Sequence, residues 1–282
     1  MSGTQLVQVV EMALMVPTTL LLLWIAVPEV APWRAAWESL CGAFRSPRRV
    51  LYLAAGCSIL AVNYLYLHLG LDERFTGWVV ESRGRDYTSS IHSLEGEAVA
   101  GIQSALAWLP LTWFFAYVYV IVFPCFVFVA MLVFDRLRSK RGLAMVLIGY
   151  FLNYLVELPF FVVFPVRETF HFYQHDLGSQ GVRLLLDDIS PVVMEAYRAM
   201  SGLDNCFPSF HTSLGVTMAL VSWHTGRRSF ALVMTGFGLA NALATLYLGI
   251  HWVSDVAAGA AVGVLAYVFA RWLSRRWAQE PQ

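Results

Sequence analysis

Long apolar runs alternate with short polar connections along this chain, and the runs have the length of membrane helices. Seven are legible: about Val7–Val27, ended by Pro28; about Val50–Leu71; about Trp108–Phe134; about Leu143–Phe164, ended by Pro165; a short one at about Ser209–Trp223; about Phe230–Leu248; and about Trp252–Leu273. A helix crossing the hydrocarbon core of a bilayer needs about 20 apolar residues. The runs lack the strict alternation of barrel strands. The pattern therefore predicts an all-α, polytopic membrane bundle of about seven transmembrane helices.

Two connections are long, Asp72–Ala107 and Pro165–Phe207. Structureless loops of that length are uncommon. The second holds two short apolar stretches, Leu184–Leu186 and Val192–Met194, so both loops are expected to form short amphipathic helices at the membrane interface. No internal repeat or low-complexity tract interrupts the chain, which reads as a single membrane domain over 1–282.

Composition agrees: 58% of residues are hydrophobic and 13% charged, against about 25% charged in a soluble domain. The formal net charge is +0, which gives nucleic acid no electrostatic foothold. What informs is where the cations sit. Thirteen of the 19 Lys and Arg fall in the connections around Arg34–Arg49, Arg136–Arg141 and Arg227–Arg228 and near the C-terminus; six are spread over the two long loops. The positive-inside rule then places the N-terminus outside, the C-terminus in the cytoplasm and both long loops outside. The first ten residues contain no Lys or Arg, so the first run is expected to be a retained helix rather than a cleaved leader. The four cysteines, at 41, 57, 125 and 206, include no CxxC pair, and no structural disulfide is expected.

With this sidedness, the end of the fourth run, the start of the fifth and the start of the seventh share the outer surface. The chemistry-bearing residues lie there. His251 and Asp255 are spaced i, i+4 at a helix start, on one face. An aspartate so placed can accept Nδ1–H and leave Nε2 free to attack. Pro208-Ser209 is a helix opening whose first-turn amides, beginning at Phe210, can bind phosphate oxygens, with the Ser209 hydroxyl as a further donor. His211, one turn in, is placed to give and take a proton.

At these residues the chain resembles the phosphatidic acid phosphatase type 2 superfamily of membrane lipid phosphatases. Pro208-Ser209-Phe210-His211 stands for that family's Pro-Ser-Gly-His motif, and His251 and Asp255 match the His and Asp of its third motif. Ala244 and Thr245 replace the Ser-Arg of that motif. Arg167 matches the Arg of the first motif, while Phe160 and Glu168 replace its Lys and Pro. Phe210 in place of Gly and the lead-in Tyr247-Leu248-Gly249-Ile250-His251 look more like the inositol phosphorylceramide synthase branch, whose members transfer a phospho-headgroup between lipids. The resemblance covers about residues 110–273. It implies a six-helix catalytic core with an extra N-terminal span, a phosphohistidine on His251, protonation of the leaving alkoxide by His211, Arg167 as a phosphate clamp, a lipid phosphoester substrate, an extracytoplasmic site, and neither metal nor cofactor. A phosphomonoester carries about −1.5 to −2 near pH 7 and a diester a single charge. One matched Arg suits a diester better, unless Arg183 and Arg198 contribute.

Competing readings remain at this point. His251 and Asp255 alone would fit a helix-cap pair, and Arg167 a snorkelling interfacial side chain. His211, His251 and Asp255 could ligate zinc in an intramembrane hydrolase, and the span count permits a transporter. His171 and His175 are also i, i+4, beside Asp176, although two His without a third ligand are weak evidence for a metal. Glu157 lies inside the fourth run, where an acid either serves function or bonds a neighbour such as Asn153.

Overall fold

The computed structural model describes residues 3–44, 86–190, 193, 197 and 205–275. The expected second span at about Val50–Leu71, most of Val192–Met194, and Arg198 lie outside the described residues. Among those described the structure is helical, with one isolated bridge, between Val166 and Asn205. In chain order the helices are α1 (Gly3–Ala26), α2 (Pro32–Phe44), α3 (Thr88–Glu95), α4 (Ala98–Leu106), α5 (Leu109–Arg136), α6 (Lys140–Val163), α7 (Thr169–His175), α8 (Phe210–Ser222), α9 (Arg228–Tyr247) and α10 (Val253–Leu273).

Four of these, in α5, α6, α9 and α10, are long and apolar enough to cross a membrane, with mean hydropathy between 1.5 and 2.6. Their bounds fall within a few residues of the runs read from the sequence. In α1 the apolar part is shorter, Ala13–Ala26. The amphipathic helix α2 was not expected. Its segment is rich in Ala and Trp but lies in a basic connection, and Glu38 pairs there with Arg136 at 2.8 Å.

Helix α8 has 13 residues and would span about 20 Å at 1.5 Å per residue, too short to cross a bilayer unaided. Most of it lies inside the bundle. Thr212, Ser213, Leu214, Gly215, Thr217, Met218, Ala219, Val221 and Ser222 are all buried, packed chiefly against α9, α10 and α6. The apolar side chains that remain exposed, among them Phe151 and Leu155 of α6, Leu239 and Leu243 of α9 and Leu265 and Phe269 of α10, point outward, as a bilayer-facing surface requires.

Glycines set how closely α8 and α10 approach. Gly259 and Gly263 follow Asp255 at four-residue steps, and a Cβ on either would collide with the Ser209 or Ser213 carbonyl oxygen of α8. Small residues in this spacing let helix backbones approach closely. Overpacking costs about 1–3 kcal/mol. Gly259→Ala should therefore lower the unfolding midpoint of the detergent-solubilised protein, while Gly236→Ala, which meets nothing within 4 Å, should leave it unchanged.

The long loops do form short helices. Ile91 of α3, Val99 of α4, Phe170, Phe172 and Tyr173 of α7, and Leu184–Leu186 are buried together with Tyr247, Leu248, Ile250 and Trp252 in a second core. This core caps one end of the bundle, over the turn that carries His251.

Candidate active site

The α9–α10 turn is built to present His251. Gly249 ends α9 with φ of +82°, a left-handed cap that glycine adopts without strain. The Ile250 and His251 amides both donate back to the Thr245 carbonyl, at 3.0 and 3.1 Å. Backbone from the long connection after α6 grips the same turn: the Thr169 amide donates to the Ile250 carbonyl at 3.0 Å, Phe170 to Gly249 at 2.8 Å and Leu185 to Leu248 at 3.1 Å. Gln103 of α4 bridges the Arg183 and Tyr247 carbonyls at 2.8 and 3.0 Å. The expectation that the segments carrying Ser209 and Asp255 share one end of the bundle is met directly, since the Ser209 amide donates to the Asp255 carbonyl at 3.0 Å.

His251 is 5% exposed and Asp255 fully buried. The Asp255 Oδ2 accepts the Trp252 amide at 2.8 Å and lies 3.3 Å from His251 Nδ1. A third group was not foreseen: the Cys206 Sγ is 3.1 Å from the same Nδ1 and 3.2 Å from the Ile250 carbonyl oxygen. Burial pushes the Cys206 thiol well above its ordinary range, and the Asp255 and Glu168 carboxylates push it further. It is therefore a neutral thiol here. With Nδ1 occupied on that side, Nε2 is the imidazole nitrogen left for substrate.

His211 opens α8 and stands with its ring 6.3 Å from that of His251, centroid to centroid. It is held between two aromatic rings of α5, stacked on Tyr119 at 4.2 Å and tilted against Phe123 at 4.3 Å. Tyr119 lies in a π-helical turn, Val118–Val122, inside α5. Such turns often mark functional positions, because the extra residue re-aims side chains. Asn241 donates to the His211 carbonyl at 2.9 Å, which fixes the start of α8 against α9.

Ser209 and Phe210 are placed differently from each other. The Ser209 oxygen caps its own helix, accepting the Thr212 amide at 3.4 Å and the Thr212 hydroxyl at 3.1 Å. That leaves the Phe210 and His211 amides as first-turn donors outside the cap. The Phe210 ring packs against Tyr154 at 4.4 Å. The first turn of α10 is already filled, because the Glu95 carboxylate of α3 accepts the Val253 and Ser254 amides at 2.8 and 2.5 Å.

Arg167 lies next to the turn through its backbone, its carbonyl accepting the Trp252 indole at 2.9 Å. Its guanidinium meets Asp86 at 2.7 Å and Asp176 at 2.5 Å. Burial works against the Arg167 charge, but Asp176 and Asp86 outweigh it and raise its pKa. The structure thus gives this side chain two carboxylate partners that the sequence did not reveal. Arg183 pairs with Asp188 at 3.2 Å.

Residues 158–278 match the family model of the PAP2 superfamily. The PAP2 match starts within α6 and runs past α10, so it encloses Arg167, Ser209, His211, His251 and Asp255 and leaves α1–α5 outside. No curated protein and no solved structure matches the chain.

The other candidates are resolved by their partners. His171 and His175 face each other at 4.4 Å, but Asp176 beside them is taken by Arg167. Asn153 donates to the Gly149 carbonyl at 2.7 Å and Thr217 at 3.0 Å, and not to Glu157. Glu157, on α6, is fully buried; its neighbour Ser213 of α8 donates to the Phe210 carbonyl at 3.1 Å. Among the described residues, the zinc set of His211, His251 and Asp255 is not gathered; the donors that do cluster with His251 and Asp255 come from Cys206.

Proposed function

We propose that this chain is a membrane-embedded enzyme that acts on a lipid phosphoester through a phosphohistidine on His251. The observation that carries the proposal is the pair of imidazoles 6.3 Å apart, one of them with a buried carboxylate on Nδ1. A tetrahedral phosphoryl group fits between rings at that separation. His251 Nε2 attacks phosphorus, and Asp255 holds the tautomer and offsets the imidazolium charge that develops. His211 delivers a proton to the departing alkoxide, then takes one from the incoming water or alcohol. The Phe210 and His211 amides hold phosphoryl oxygens at the helix start. Ser209 supports this site by capping α8. Arg167 contributes as a clamp through the positive field of its guanidinium, tempered by Asp86 and Asp176. None of these roles calls for a metal or cofactor. The site faces the extracytoplasmic side, with the N-terminus outside and the C-terminus inside.

Within this reading, transfer of a phospho-headgroup between lipids is favoured over hydrolysis of a monoester. Both described arginines of the outer segments, Arg167 and Arg183, are already paired with carboxylates. A site with so little spare positive charge suits the single charge of a diester. The PAP2 match and the Phe210 variant of its motif are compatible with such a branch.

The test is a panel of lipid phosphomonoesters and diesters, each with lipid alcohol acceptors, given to the purified protein with and without vanadate and chelator. Headgroup exchange is expected, blocked by vanadate, which adopts the five-coordinate geometry of the transition state, and unaffected by chelator. Phosphate release from monoesters with no exchange to any acceptor would remove the transferase assignment. Activity that disappears with chelator and returns with metal would remove the phosphohistidine mechanism.

A further inference from the structure

The mechanism uses His251 and Asp255 but gives no task to Cys206, although its sulfur is the group closest to Nδ1. The three side chains come from two segments that meet only in the folded state, the approach to α8 and the start of α10. Their donor atoms all lie within 4.8 Å of one another. Cys206 and Asp255 are 1% and 0% exposed. A second observation points to a cation as the ligand. The Asp255 Oδ2 is occupied by the Trp252 amide, while its Oδ1 is buried and has no hydrogen-bond partner among the described residues. A buried carboxylate oxygen left in that condition costs free energy that a cation would recover.

We propose that Cys206 Sγ, His251 Nδ1 and the Asp255 carboxylate form a site for a soft divalent transition-metal ion of the zinc class, and that filling it silences the imidazole. The dimensions suit such an ion. Tetrahedral zinc, with bonds of about 2.3 Å to sulfur and about 2.0–2.1 Å to nitrogen and oxygen, sets S···N near about 3.6 Å and N···O near about 3.3 Å. The observed separations are 3.1 and 3.3 Å, so a shift of a few tenths of an ångström at the sulfur opens the site. A mixed thiolate, imidazole and carboxylate set selects zinc or a similar borderline ion over magnesium or calcium, which prefer oxygen alone.

The consequence for turnover rests on His251 being the nucleophile; the binding does not. On binding, the Cys206 S–H bond breaks, an S–metal bond forms and the proton leaves to solvent. The metal takes the lone pair on Nδ1, so the imidazole proton moves to Nε2. The nitrogen that must attack phosphorus then carries a hydrogen and has no lone pair to offer. Asp255 is drawn from orienting the ring to ligating the metal. The result is an enzyme that needs no metal and is inhibited by one.

Cobalt(II) serves as the probe, because a cobalt–thiolate bond produces a near-ultraviolet charge-transfer band. The detergent-purified full chain is titrated with cobalt, then with zinc, in a Cys41→Ser, Cys57→Ser, Cys125→Ser background that leaves Cys206 as the sole thiol. A saturable band of one cobalt per chain is expected, displaced by zinc and absent in both Cys206→Ser and Cys206→Ala. Zinc should inhibit turnover, and the half-inhibiting concentration should rise at least about tenfold in the Cys206 variants, as even outer-shell losses weaken metal sites 10–100-fold. Absence of the band in the chain that retains Cys206 overturns the site without recourse to variants. A band that survives Cys206→Ser, or zinc inhibition equal in parent and variant, overturns it as well. If the band forms as described and no phosphoester is turned over, the site stands and the assigned reaction falls.

Discussion

Replacing His251 with glutamine should lower turnover of a lipid phosphoester by roughly 10⁴-fold or more, the scale seen when a nucleophile that works with its neighbours as a unit is removed. The fold should survive the change. The His251 backbone stays tied to Thr245 through its amide, and the glutamine amide can still donate toward Asp255. The unfolding midpoint in detergent should therefore move by no more than a few degrees, and this measurement separates lost chemistry from lost structure. Turnover within tenfold of the parent, in a folded variant, would remove His251 from the role of nucleophile.

The second large effect depends on the leaving group. His211→Gln should cost roughly 10²–10⁴-fold when the departing group is a lipid alkoxide, the usual worth of a positioned general acid. A nitrophenolate leaves without being protonated, so the same variant should lose far less on a nitrophenyl phosphoester. The comparison of the two substrates distinguishes proton delivery from simple packing against Tyr119 and Phe123. Equal losses on both would show that His211 serves only to shape the site.

Much of the scaffold was legible because a bilayer imposes a coarse code on sequence. Runs of about 20 apolar residues marked α5, α6, α9 and α10 to within a few residues, and the cations of the connections put the end of α6, the start of α8 and the start of α10 together. The i, i+4 spacing anticipates the proximity of His251 and Asp255, but His251 stands two residues before α10, so it is the turn and not a shared helix face that brings its ring to Asp255. What was not legible depends on contacts distant in sequence or on backbone detail inside uniform stretches. The π turn at Val118–Val122 lies in a run that is apolar throughout, so nothing in its pattern distinguished it, and with it were missed Tyr119 and Phe123. Glu95 and Gln103 reach the turn that carries His251 across some 150 residues of chain. Cys206 was noted only as a cysteine without a disulfide partner, since its distance to His251 exists only after α8 and α10 meet. Arg167 was assigned to phosphate by motif, and its carboxylates, Asp86 and Asp176, come from two different loops. The close approach of α10 to α8 does leave a trace in the sequence: Asp255, Gly259 and Gly263 repeat every four residues, the mark of a helix pressed closely against another.

The separation between the two histidines acquires meaning only if phosphorus becomes bonded to one of them. The most direct test is to mix the purified protein with a lipid phosphoester, quench in alkali within the first turnover, digest, and locate phosphate by mass spectrometry. The account predicts an acid-labile, alkali-stable phosphoryl group on the peptide that contains His251, at greater occupancy when the acceptor is withheld. Steady turnover with no phosphorylated histidine at any quench time, or with the label on another residue, would contradict it.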